Sequence, residues 1–250
     1  MTLPATGSEG SNGSVLKNPE TDESADVMAD CLRPSFTLMN PDLTLTIPKR
    51  QTVFGIIDMF SHVMERYFSS SKDTYLTDYM CEGVMKSIIV NAETLMKDLK
   101  DYNARAELMW TAIVAHNGLL ATGRNQDWAT HTIGAQLSAQ YNCVHGATLS
   151  VLFPNWARYV YKENLPRFVQ FANRVFSVEV DFYDQEKTAL KGIEKLAEFF
   201  HSMGGPSTLK DLGIETDEKF RKMAEDACRF GNIGGLKSLN ADDVEAIYIL

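Results

Sequence analysis

Beyond Arg50 the apolar positions of this chain recur with the period of an α-helix almost to its end. Val53, Phe54, Ile57, Phe60, Met64 and Tyr67 fall on that spacing, and residues three or four apart share one helix face. The same periodicity predicts helices over 76–99 and 104–121, and another from Ala129 to a turn near Asn142. His145 opens the helix that follows, whose periodic stretch covers 148–161. Further helices are expected over 165–176 and 186–203, the latter broken by Gly204, Gly205 and Pro206. Segments 217–230 and 241–250 close the chain, with Asn240 as a natural N-cap. The apolar residues of these helices read as core rather than as a cofactor pocket.

The first part of the chain has a different pattern. Gly7, Gly10 and Gly13 alternate with serines, and a polar run follows to Ser24. Taken alone, this stretch reads as a flexible tail or linker. Residues 31–39 are extended in character, and Pro41, Leu43 and Pro48 mark a turn-rich crossing into the helical part. Neither an internal repeat nor, after residue 25, a low-complexity stretch is present.

Composition narrows the function classes. A length of 250 residues allows one large domain or two small ones with a substantial core. The net charge of −9 argues against general nucleic-acid or anionic-membrane binding. No apolar run approaches the roughly 20 residues that span a bilayer, and no basic-then-apolar leader is evident at the N-terminus. Cys31, Cys81, Cys143 and Cys228 are scattered without a Cys-x-x-Cys pair, which suits reduced thiols in a cytoplasmic protein. Cys143 lies two residues before His145 and reads as a small buried filler.

The candidate chemistry lies in Asp58, His62, His131 and His145. Only five histidines occur in the chain, and three of them join this set. Asp58 and His62 are four apart on a predicted helix, so both can reach one ion from a rigid backbone. One carboxylate and three imidazoles are a suitable ligand set for Fe²⁺ or Zn²⁺. His131 and His145 are fourteen apart, at opposite ends of a predicted hairpin, and spacing alone leaves their convergence open. The competing reading is ordinary: a local Asp–His ion pair and hydrogen-bonded core or surface histidines. Glu65 shares the helix face of Asp58 and His62 and could steady a ligand, although a solvent-exposed charge is the favoured reading. His116 and His201, each near a helix end, read as structural. Asp127 as a helix cap and Trp128 as a packing residue are preferred over roles in a site, although Trp128 could wall one.

Six segments, LPATGSE (3–9), DMFSHVMERY (58–67), MWTA (109–112), NGL (117–119), DWATH (127–131) and HGA (145–147), together resemble the C-terminal, metal-binding part of the iron-containing alcohol dehydrogenases. The similarity is greatest to the branch of butanol dehydrogenases and NADPH-dependent aldehyde reductases, and the segments follow the family's order over almost the whole chain. The resemblance implies a mainly α, dehydroquinate synthase-like helical domain over 49–250. Residues 1–48 would be a remnant of the nucleotide-binding α/β domain and a crossing segment, the rest of that domain being missing, and no GGGS pyrophosphate loop is found. It also implies Asp58, His62, His131 and His145 as metal ligands, with no catalytic residue beyond them. Thr2, Thr6 and Ser8 would line the nicotinamide and phosphate side of the cleft. NAD(P)H and Fe²⁺ or Zn²⁺ are the implied cofactors, and a small alcohol or aldehyde the substrate. A homo-oligomer, or association with a nucleotide-binding domain, is expected.

Two departures stand against the family pattern. Ala135, followed by Gln136, occupies a position where many members carry a further histidine, and Asn40 replaces a common aspartate. Ala135 and the missing glycine loop keep open a second reading, a non-catalytic metal-binding helical module or inactive truncated homologue needing a partner chain. A lyase or hydrolase on the same scaffold would need a general base beside the ion, and the sequence offers none.

Overall fold

The computed structural model describes residues 3–17, 20 and 24–250. Its described residues are mainly helical: α1 (Lys49–Tyr67), α2 (Tyr75–Lys97), α3 (Tyr102–His116), α4 (Ala129–Tyr141), α5 (His145–Val160), α6 (Leu165–Phe176), α7 (Gln185–Ser202), α8 (Phe220–Ala227) and α9 (Ala241–Ile249). One antiparallel pair precedes them, β1 (Gly13–Lys17) with β2 (Ser24–Met28), in a register that sets Gly13 opposite Met28. No helix among the described residues is long and apolar enough to cross a membrane.

The molecule is organised around α1. Every residue from Thr52 to Tyr67 is buried, so this helix is wrapped on all sides rather than along one stripe. Helices α2, α3 and α5 pack on it. Gly55 admits the carbonyl of Pro4, to which an added Cβ would come within 2.5 Å, and Gly146 meets the carbonyl of Phe54 still more closely. Below α1, Phe68 stacks on Phe168 with centroids 4.3 Å apart, and Phe153, Trp156 and Phe171 complete an aromatic centre. Helices α6 and α7 approach closely where Gly192 faces Ala172.

Local chemistry accounts for several boundaries. The Asp101 carboxylate accepts from the Ala104 N–H at 2.8 Å and caps α3, and Asn240 with Asp243 forms a capping box at α9. Asn40 accepts from the Asp42 N–H at 3.0 Å, starting the short 3₁₀ turn Pro41–Thr44. The helix predicted over 104–121 stops earlier, at His116, because Gly118 turns left-handed with φ 96°, and only the 3₁₀ turn Leu119–Ala121 follows. The helix predicted over 217–230 shortens to α8. The largest correction is at the start: the segment that reads as a linker supplies β1, which pairs with β2 at and just beyond its end to form a hairpin. Its exposed Val15, Leu16 and Met28, together with Phe36 and Leu38, leave this part rich in uncovered apolar surface.

Candidate metal centre

Asp58 and His62 lie one turn apart on α1, both buried. His131 enters from the first turn of α4, directly after Trp128, which takes a left-handed conformation with φ 65°. His145 is the first residue of α5, and Gly146 lets that helix start against the backbone of α1. The four expected residues therefore meet, although they come from three helices. Asp58 Oδ1 lies 3.8 Å from His62 Nε2, 3.7 Å from His131 Nε2 and 3.8 Å from His145 Nε2.

These distances exceed hydrogen bonds, and the unmet polar valence is visible in the atoms themselves. Asp58 Oδ1 and His131 Nε2 are buried without a hydrogen-bond partner, an arrangement that costs free energy unless something else occupies the centre. Donors on a tetrahedral ion with bonds of about 2.1 Å stand about 3.4 Å apart, close to the separations seen. Asp58, His62 and His131 offer ligand atoms that all lie within 4.8 Å of one another. His145, with a side chain 38% exposed, forms the outer edge. The residues present thus fit a divalent cation with nitrogen and oxygen ligands.

Electrostatics within the cluster are strongly coupled. Burial opposes the charge on Asp58, yet the imidazoles of His62, His145 and His131 outweigh it and hold the carboxyl far below its usual range. Burial pulls His62 well below its ordinary value, against the attraction of Asp58. His131 is also disfavoured as a cation by burial, but flanking Asp58 and Glu65 overcome this and push it up to about 9.

Around the donors the structure corrects several expectations. Glu65 is completely buried rather than solvent-exposed. Its Oε1 lies 2.7 Å from His131 Nδ1, and its Oε2 accepts the Trp128 N–H at 2.7 Å. The spacing already carried this signal, since Glu65 is three residues after His62 and seven after Asp58 on one helix. The N-cap of α4 is Trp128 rather than Asp127; from the position before it, Asp127 accepts the Ala129 N–H at 3.0 Å, and its other oxygen accepts the N–H groups of Gly235 and Leu236. Trp128 lies beside His131 with ring centroids 5.0 Å apart, so it borders the cluster as well as packing.

His116 has more than a helix-end role. Its ring is 4.2 Å from that of His62, and its Nδ1 lies 3.2 Å from the Arg66 guanidinium. Burial and this cation drive His116 down to about 3, which leaves it neutral and able to accept from Arg66. Arg66 itself donates to the His62 carbonyl at 2.6 Å, a contact that sequence reasoning did not single out. Thr6 and Ser8 are exposed on either side of Gly7, whose φ of 60° and close approach to Ala112 and His116 fix this loop one side-chain layer from His62. Thr2 lies outside the described residues. Ala135 is exposed one turn beyond His131. Cys143 directs its thiol to the carbonyls of Tyr141 and Leu212, and His201 pairs with Ser207; neither joins the donors.

A helical domain built round one carboxylate and three imidazoles defines a narrow class, and sequence comparison gives it a family. The chain belongs to the Fe-containing alcohol dehydrogenase family: the sequence model of that family's C-terminal part matches residues 52–249. Among its relatives is a probable NADH-dependent butanol dehydrogenase 1 of Bacillus subtilis, 42% identical over 247 residues, which cover 99% of this chain and 64% of the relative. The NADPH-dependent aldehyde reductase YqhD of Escherichia coli is 32% identical over 215 residues, covering 86% of this chain and 55% of that protein. The crystal structure of an NADH-dependent butanol dehydrogenase A from Thermotoga maritima superposes with a TM-score of 0.93 at 35% identity, covering all of this chain and 64% of that one. The chain thus spans under two thirds of the length of these relatives.

Proposed function

We propose that residues 49–250 are the metal-binding domain of an NAD(P)-dependent alcohol dehydrogenase or aldehyde reductase, with Asp58, His62, His131 and His145 as ligands to Fe²⁺ or Zn²⁺. The observation that carries this reading is Asp58 Oδ1 facing three imidazole Nε2 atoms at 3.7–3.8 Å without hydrogen bonding to any of them. When bound, such an ion supplies Lewis acidity toward an alcohol or carbonyl oxygen, and a nicotinamide supplies the hydride exchange. The chain's own residues orient and shield. Trp128 and His116 pack against the rings of His62 and His131, while the partly exposed His145 gives a small substrate an approach.

Residues 1–48 belong, in this proposal, to the boundary with a nucleotide-binding domain, and Thr2, Thr6 and Ser8 face the cofactor. The loop of Thr6 and Ser8 against His116 supports that role. The exposed apolar side chains of this segment support association with such a domain or with a second copy. Free cysteines support a cytoplasmic setting.

Elemental analysis of the purified chain, alongside a His131→Ala, His145→Ala double variant, tests the site. About one equivalent of iron or zinc, lost in the variant, is expected. NADPH-linked reduction of a simple aldehyde, with and without an added nucleotide-binding domain, tests the activity. Bound metal with no turnover in either assay would favour a non-catalytic metal-binding module, the reading consistent with Ala135.

A further inference from the structure

We propose that Glu65 is a positioning residue for the metal centre: it holds His131 as the Nδ1–H tautomer, with Nε2 turned toward Asp58, and so makes His131 an anchoring imidazole for the divalent cation. The inference rests on reading Asp58, His62, His131 and His145 as a metal site, and concerns a residue outside that set.

Glu65 has no exposed surface, and several donors converge on its carboxylate. Its Oε2 accepts the Trp128 N–H at 2.7 Å. Its Oε1 accepts the Thr130 hydroxyl in a short bond and the His131 N–H at 3.2 Å, and lies 2.7 Å from His131 Nδ1. An ionised carboxylate only accepts, so the proton in this last contact sits on Nδ1. With Nδ1 keeping its proton, Nε2 is the nitrogen left to give up a proton and offer a lone pair; it stands 3.7 Å from Asp58 Oδ1 and has no hydrogen-bond partner. A carboxylate behind an imidazole fixes its orientation and raises its basicity as a ligand. His62 lacks this support, because its Nδ1 is buried without a partner. One helix therefore supplies two donors directly and secures a third through Glu65. The bonds to Trp128 and Thr130 clamp the start of α4 to α1, which sets the distance of His131 from Asp58.

Zn²⁺ titration against a chromophoric chelator compares the wild-type chain with Glu65→Gln and Thr130→Val. Thr130→Val removes one clamp bond but leaves Nδ1–H···Oε1 intact, so it measures the purely structural contribution. Glu65→Gln is expected to weaken Zn²⁺ binding by about 10–100-fold, and Thr130→Val by at least about tenfold less than that. Equal losses in both variants, or unchanged binding in Glu65→Gln, overturn the role of Glu65 while leaving the metal site standing. Failure of the wild-type chain to bind Zn²⁺ overturns the site reading and the proposal with it. Long-range ¹H–¹⁵N correlation of wild-type protein loaded with Zn²⁺ decides the matter even where Glu65→Gln fails to fold. Coordination through Nε2, with a slowly exchanging Nδ1 proton on His131, is expected; coordination through Nδ1 overturns the proposal.

Discussion

Two buried aspartates with the same 4% exposure are treated in opposite ways by this fold. Asp78, on α2, is met by two guanidiniums, Arg124 at 2.6 Å and Arg167 at 2.5 Å, with the Thr74 hydroxyl donating at 3.1 Å. Asp58, on α1, faces three imidazoles, none close enough to bond. Where stability alone is at stake, the protein supplies fixed opposite charge at contact distance. At the proposed metal centre, it holds the candidate donors apart by roughly the width of an ion. Burial of an aspartate therefore says little by itself; the distance and identity of its neighbours separate the two cases.

The comparison can be broken most forcefully at Asp58. Asp58→Ala is expected to reduce bound iron or zinc from about one equivalent to background, read by elemental analysis, with the helical circular dichroism spectrum retained. Asp78→Ala should do the reverse. It strands Arg124 and Arg167 in the interior and is expected to cost about 3–5 kcal/mol of stability, seen as a lowered urea midpoint, without removing a metal ligand. Retained metal in the first variant, or unchanged stability in the second, would erase the distinction.

A finer test uses pH. Burial opposes ionisation of Asp78, but Arg167 and Arg124 outweigh it and lower its pKa. A depressed carboxyl contributes stability that is present above its unfolded value of about 3.9 and lost as pH falls through the folded one. The stability advantage of the wild type over Asp78→Asn should thus be full at pH 7 and shrink progressively below about pH 4. Equal differences at both ends of that range would refute the assignment.

Two smaller effects sharpen the picture. Gly146→Ala places a methyl group against the Phe54 carbonyl and should cost about 1–3 kcal/mol by overpacking. It should also weaken metal binding, because His145 is its neighbour. Tyr159→Phe removes only the 2.6 Å hydrogen bond to Asp243, with an expected loss of about 1 kcal/mol in thermal unfolding and no change in metal content.

Much of this was readable in the chain. The helical period from Arg50 onward gave α1 to α7 and α9, because each buries a periodic apolar face. Asp58 and His62 were legible as a pair since their proximity is local. The β1–β2 hairpin was not, as its strands are short, glycine- and serine-bearing, and paired with each other rather than with a core. Glu65 was misread for a related reason. A glutamate shows its charge in sequence but not its partners, and here Trp128, Thr130 and His131 arrive from more than sixty residues away. Left-handed Trp128 and Gly118 set two turns that periodicity cannot foresee.

The all-round burial of α1 also constrains how this protein can change over generations. An inserted or deleted residue before Asp58 would rotate the rest of the helix by about 100°, turning both of its donors away while forcing polar groups into the core. Such a lesion would be removed as a folding defect before any loss of chemistry could be weighed. Variation is therefore channelled to exposed rim positions such as Ala135, which lies outside both the donors and the core. Lineages of this fold can acquire new preferences there while the donors of α1 stay in register.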